Sequence, residues 1–428
     1  MALPRPASAL RTLRLICEVL EDRLQPDASL IANLAAGNYV PDHILVQFKP
    51  DVTPKPILGT TITSSLSLIP GLFDIQLPQG LSVAQALDAY NADLQVVSSQ
   101  PDYLIQADAV PNDPSFSQQW ALNGNNPTAS ISAPTAWNTT TGSGNTIVAT
   151  IDSGIDTSHP DLAANLWTNA GEIPGNGIDD DHNGFVDDVH GYNFINSTGN
   201  NNDDYGHGTH VAGIIGAVGN NGLGVTGVNW NVKIMALKFL NYNGSGSTSN
   251  ALRALNYAVQ MGATISNNSW TSPAYDTALE TGIRNAGLAG HIYVAAAGNL
   301  AQNLDTNKLY PASFALDNVV TVAALDSNNN LAGWSNYGQT VDIAAPGVDI
   351  YSTLPGGNYG YMSGTSMATP FVTGAIALVR DAHPTWTAQQ VIRQVLSTAD
   401  TLPSLTGKIN GGRLDVGAAI GIPVLPPP

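Results

Sequence analysis

TIVATIDSGIDTSHPDL, residues 146–162, decides the fold. The apolar run TIVATI reads as a short strand, Asp152 stands at its end, and Gly154 opens a loop. The same kind of run returns five times: KIMALKFL (233–240), ATISNNS (263–269), HIYVAAAG (291–298), VVTVAAL (319–325) and VDIAAPG (341–347). Helical stretches near 247–261, 275–289 and 387–398 lie between and after them. Strands alternating with helices predict an α/β fold, a doubly wound, mostly parallel sheet with helices on both faces. Sites in such folds lie beyond the carboxyl ends of the strands, where Asp152 is expected to stand.

Two further segments carry chemistry. In GHGTHVAGIIG (206–216), His207 opens a helix of small residues. In SGTSMATPFVTGAIALV (363–379), Ser366 stands at the start of a long apolar helix. Pro370 is expected in the first turn of that helix, where a missing N–H is tolerated. A serine hydroxyl becomes a competent nucleophile when an imidazole takes its proton. A buried carboxylate fixes the imidazole tautomer and stabilises its protonated form. A helix N-terminus at Ser366 points N–H groups toward a developing oxyanion, and Asn299 in VAAAGN is the candidate second donor.

The order Asp152, His207, Ser366, with the blocks DSGID, HGTHVAG and GTSMATP, resembles the subtilisin family over about residues 110–420. NDPSF at 112–116 and the acidic loops lean toward its thermitase branch. The resemblance implies a secreted serine endopeptidase acting on proteins or peptides, with these three residues as triad and Asn299 in the oxyanion hole. It implies that Ser269-Trp270-Thr271 pairs with the substrate backbone and that Ala296-Ala297-Gly298 forms the opposite wall. The family's usual residue at the place of Thr271 is glycine, so close approach of the substrate there is in question. Leu300 and Leu309 at the pocket base imply an uncharged, apolar-leaning P1 side chain. His210 is expected to be a packed structural histidine.

Residues 40–109 read as a small α+β unit. HILVQF (43–48) is a strand candidate, LSVAQALDAYNA (81–92) a helix, and LQVVSS and DYLIQA two closing strands. QPDYLIQA (100–107) resembles the end of the family's inhibitory propeptide. That implies an intramolecular inhibitor cut off by the enzyme between about 105 and 112. Residues 110–422 form the catalytic domain and 423–428 an extended Pro-rich tail. Residues 1–39 form a leader and linker. There CEVLEDRLQPD either resembles a sorting segment of bacterial exported proteins or is a disordered leader.

Of 428 residues, 33 are acidic and 15 basic, formally −18 at neutral pH. Such a field repels nucleic acid and anionic membranes and favours bound cations. Cys17 is the only cysteine, which excludes an intrachain disulfide. No apolar run is long enough to span a membrane. Calcium is the expected clamp. In GIDDDHNGFVDD, Asp179, Asp181, Asn183, the Phe185 carbonyl and Asp187 fall at positions 1, 3, 5, 7 and 9 of an EF-hand-like loop, with Gly184 at position 6. Position 12 is His190 rather than Glu, and Asp188 is taken as its substitute. The family resemblance implies a second calcium site at Asp113, Asp161 and Asn221. A monomer is expected. The rival readings are a catalytically silent module that holds peptides and a self-processing surface protein.

Overall fold

The computed structural model describes residues 39–104, 109–124 and 128–421. Most of the leader with Cys17, the end of DYLIQA and the Pro-rich tail lie outside them. The chain divides into two compact units, 1–107 and 108–428.

The first unit holds β1 (Tyr39–Phe48), β2 (Thr61–Ser65), β3 (Leu72–Gln76), α1 (Val83–Ala92) and β4 (Val96–Tyr103). They form an antiparallel sheet ordered β2-β3-β1-β4. Alternate residues of β1, Ile44, Val46 and Phe48, meet Val83, Ala86, Leu87 and Tyr90 of α1 in one buried core. The helix starts at Ser82, whose hydroxyl and Gln85 complete a reciprocal cap. One expectation fails here. LQVVSS and DYLIQA do not give two strands: the described part is a single strand running through Pro101. β4 is an edge strand, where a proline can leave its missing N–H toward solvent. β2 and β3 escaped notice because TITSS and LFDIQ are short and largely polar or half-buried.

The second unit is built on seven parallel strands: β5 (Ile147–Asp152), β6 (Gly191–Asn193), β7 (Lys233–Lys238), β8 (Ile265–Asn268), β9 (Ile292–Ala296), β10 (Val319–Leu325) and β11 (Ile343–Pro346). Their order is β11-β10-β9-β8-β5-β7-β6. Successive side chains alternate between two cores, as a sheet covered on both faces requires. Ile234 and Ala236 face the core with α2 (Ala133–Trp137), α3 (His207–Gly216) and α6 (Thr365–Ala382). Met235 and Leu237 face the core with α4 (Thr248–Gln260) and α5 (Thr277–Leu288). The doubly wound α/β expectation holds. Chain connections leave β5 and β8 in opposite directions, so the crevice for a site opens between their carboxyl ends.

Pro370 is the sixth residue of α6, not in its first turn. A proline there cannot donate to the Ser366 carbonyl one turn back. The Ser269 hydroxyl supplies the missing donor at 2.9 Å. The residue that interrupts the helix thereby ties the helix start to the end of β8.

Candidate active site

The four residues singled out from sequence sit on the carboxyl edge of the large sheet. Asp152 ends β5 and is fully buried. Its Oδ1 accepts from the Ser153 N–H at 2.7 Å and lies 2.8 Å from His207 Nδ1. His207 is the first residue of α3, and its ring stays 17% exposed. Gly208 explains how the helix comes so close: a Cβ there would stand 2.1 Å from the Gly154 carbonyl oxygen. Burial alone would lower the His207 pKa. The charge and hydrogen bond of Asp152, with the charge of Asp203, outweigh it and hold the pKa above the ordinary value. If His207 is the base that the sequence leads one to expect, loss of activity on acidification should centre above pH 6.5, because a histidine that stays protonated cannot accept a proton. A pH profile of kcat/KM checks this, and a limb centred well below 6.5 contradicts it.

Ser366 is the second residue of α6, and its hydroxyl donates to the Ser269 carbonyl at 3.2 Å. Asn299 Oδ1 accepts from the Thr365 N–H and hydroxyl, both at 2.9 Å. Those two bonds fix the amide and leave Nδ2 as its outward donor. A carbon placed as Cβ on Gly364 would lie 3.5 Å from both Asn299 Nδ2 and Ser366 N. Two donors thus face one small space beside the Ser366 side chain, the arrangement that stabilises a developing oxyanion.

The two segments expected as substrate walls stand at the ends of neighbouring strands. Ser269, Trp270 and Thr271 follow β8, and Ala296, Ala297 and Gly298 end β9 and continue beyond it. Gly298 has φ +99°, a conformation glycine adopts readily, and its N–H donates to Thr365 Oγ1 at 3.0 Å. Leu309 is buried, whereas Leu300 is 60% exposed. His210 is fully buried, and its Nε2 lies between the Ile350 and Gly360 carbonyls at 3.0 and 3.1 Å. Burial pushes its pKa down to about 4, as befits a packed neutral histidine.

Asn183 donates to Asp181 and Asp188, and Asp179 accepts from the Asn183 and Gly184 N–H groups. Carboxylate oxygens of Asp179 and Asp181 lie within 4.8 Å of each other and of one from Glu172. Asp187 Oδ1 is buried without a hydrogen-bond partner. Oxygen donors so gathered fit a hard cation. Asp188 is the residue expected to substitute at position 12. It is fully buried, accepts from Asn169 and Asn183, and meets the Tyr257 hydroxyl. At the second site, Asn221 links Asp113 through its N–H and Asp161 through its amide. Burial raises the pKa of both carboxyls, an environment a cation would relieve.

Four residues were not singled out from sequence. Glu172 is one; it is buried and lies seven residues before the acidic loop. Lys238 is buried, and its Nζ binds Asp204 and the Ser153 and Leu240 carbonyls at 2.6–2.8 Å, clamping the turn after Asp152. Its signal was a lone cation in the apolar run IMALKFL. Asp203 caps α3 through the Gly206 and Thr209 N–H groups. Asn336 braces the second wall by donating to the Ala297 carbonyl and accepting from Leu300 and Gln302.

Comparison with known proteins agrees with this geometry. The model of the Subtilase family matches residues 143–414. A thermophilic serine proteinase of Bacillus sp. (strain AK1) is 36% identical over 349 residues, covering 80% of this chain and 79% of the relative. Subtilisin Savinase of Lederbergia lenta is 39% identical over 290 residues, covering 68% of this chain and 96% of the relative. Subtilisin-like protease 1 of Plasmodium vivax is 36% identical over 299 residues, covering 65% of this chain and 48% of the relative.

Proposed function

The chain belongs to the subtilase family of serine endopeptidases, and from that premise we propose that Asp152, His207 and Ser366 form its triad, with Asn299 and the Ser366 N–H as the oxyanion hole. The observation that carries this reading is the pair of donors converging beside Ser366, with a carboxylate already holding the imidazole on the same sheet edge. A rotation about χ1 turns the Ser366 hydroxyl from the Ser269 carbonyl toward His207 Nε2. The oxygen then attacks the scissile carbonyl while Nε2 takes its proton. Asn299 Nδ2 and Ser366 N bind the oxygen that becomes negative. His207 passes the proton to the departing amine, leaving an acyl group on Ser366. Water, deprotonated by the same imidazole, repeats the sequence and frees the acid.

The substrate is a protein or peptide laid between 269–271 and 296–298, with an uncharged P1 side chain. Trp270 borders a hollow of about 350 Å³ with the apolar Phe239, Leu240 and Leu279 and the polar Ser245, Ser272 and Asp276, which offers apolar and polar walls to a side chain further along the same peptide. We read the enzyme as an exported monomer made as a precursor, with the 40–109 unit as its inhibitor. Among the described residues no helix is long and apolar enough to cross a membrane. A fluorophosphonate probe tests the core of this proposal on the purified protein. Labelling of Ser366 together with casein digestion is expected. A protein that binds peptides without labelling would be the silent module instead.

Calcium would be held by Asp179, Asp181, Asn183, Asp187 and Glu172, and by Asp113, Asp161 and Asn221. It would neutralise clustered carboxylates and stiffen loops that no disulfide ties. An ion at a hundred times its Kd adds about 2.7 kcal/mol to a native state that alone binds it. EDTA should therefore lower Tm by several degrees and speed autolysis, and Asp181→Ala should remove part of that difference. Calorimetry with and without EDTA checks both, and unchanged melting and autolysis would sink the calcium reading.

A further inference from the structure

The first wall carries a side chain where its relatives are expected to have none. A carbon placed as Cβ on Gly298 would lie 3.5 Å from Thr271 Cγ2, 3.1 Å from Leu309 Cδ1 and 2.6 Å from Asn336 Nδ2. The Cα–Cβ bond adds about 1.5 Å, so the Thr271 methyl stands within about 5 Å of the Gly298 Cα. A flat ring lying between two walls needs a carbon contact of about 3.5 Å on each side, about 7 Å in all. The gap is too narrow for it.

Neither wall is free to retreat. On the first, the Ser269 hydroxyl is bound to the Ser366 carbonyl at 2.9 Å. One residue past Thr271, Ser272 exchanges two backbone hydrogen bonds with Tyr310, at 2.7 and 2.8 Å. On the second, Asn336 holds the Ala297 carbonyl at 2.8 Å, and its own N–H donates to the Gly298 carbonyl at 2.9 Å. Threonine also carries two heavy atoms on Cβ. Two of its three staggered rotamers therefore put an atom where the methyl now sits.

We propose that Thr271 narrows the P1 pocket so that the enzyme cuts after small residues such as alanine, glycine and serine, and rejects aromatic ones. This rests on the substrate reading given above and sharpens it from uncharged to small. The sequence ahead of the catalytic unit agrees. Ala107 and Ala109 lie in the stretch where maturation is expected, and no aromatic residue occurs from 104 to 115.

The test uses mature enzyme and peptide p-nitroanilides that differ only at P1, with Ala, Leu or Phe. The parent should favour Ala over Phe by at least tenfold in kcat/KM. Thr271→Gly should raise the Phe/Ala ratio of kcat/KM at least tenfold. Thr271→Ser, which removes only the methyl, should move the ratio part of the way. Melting and fluorophosphonate labelling of each variant show that the fold and the nucleophile are intact. A parent that cuts after Phe as well as after Ala overturns the proposal, and so does a ratio that Thr271→Gly changes less than fivefold. If the parent neither labels nor cleaves any of the three, the peptidase reading fails, and the pocket proposal with it.

Discussion

Ser366→Ala should abolish proteolysis and leave the precursor at full length. In the proposed mechanism, removing Oγ deletes the atom that becomes covalently bonded to the acyl group. The fold should survive. The hydroxyl makes one hydrogen bond, to the Ser269 carbonyl, while the reverse bond, from the Ser269 hydroxyl to the Ser366 carbonyl, is untouched. The variant should melt near the parent's precursor, fail to label with a fluorophosphonate, and run as an uncut chain. The parent should be processed, and mass spectrometry should find its new N-terminus between about 105 and 112. Normal processing of the purified variant, free of other proteases, would remove Ser366 from the role of nucleophile. A mature terminus before residue 95 or after residue 125 would move the boundary.

Asn299→Ala should lower kcat by roughly 10²–10³ with little change in KM. That size comes from subtilisin, a member of this same family, and is carried over rather than derived. The structure explains why the loss should fall on kcat. Asn299 Oδ1 is engaged by Thr365, so the amide is already oriented before substrate arrives. In the proposed mechanism its Nδ2 serves an oxygen that gains charge only in the transition state, so ground-state binding should change little. Single-turnover and steady-state kinetics separate the two, and a loss below about threefold would mean that another donor fills the hole.

Much of this was legible in the sequence because each catalytic block is local. A strand ended by Asp152, a helix opened by His207 and one started by Ser366 are statements about neighbours in the chain. The polar supports were not legible. Glu172, Lys238, Asp203 and Asn336 reach partners up to 15, 85, 50 and 39 positions away, groups that only folding brings near. Lys238 in IMALKFL looks like an error in a buried strand until the Ser153 and Leu240 carbonyls and Asp204 are seen around it. Local rules also split one strand and misplaced a proline. LQVVSS and DYLIQA read as two strands, yet a single edge strand runs through Pro101. Pro370 was assigned to the first turn of a helix that begins five residues earlier. What rescues it is a hydroxyl from position 269, which no window around the proline contains.

That rescue governs how the site should behave in alkali. The bonds that align the nucleophile run from the Ser269 hydroxyl to the Ser366 carbonyl, from Thr373 to Asn267, from Thr365 to Asn299, and from Asn336 to Ala297. Every partner in them is a hydroxyl, an amide or a backbone carbonyl, and none of these gives up a proton in the working range of a protein. Once His207 is neutral, raising the pH further changes no group in that frame. The frame that holds Ser366 and Asn299 is therefore indifferent to base, and an upper pH limit falls to ionisable groups outside that frame.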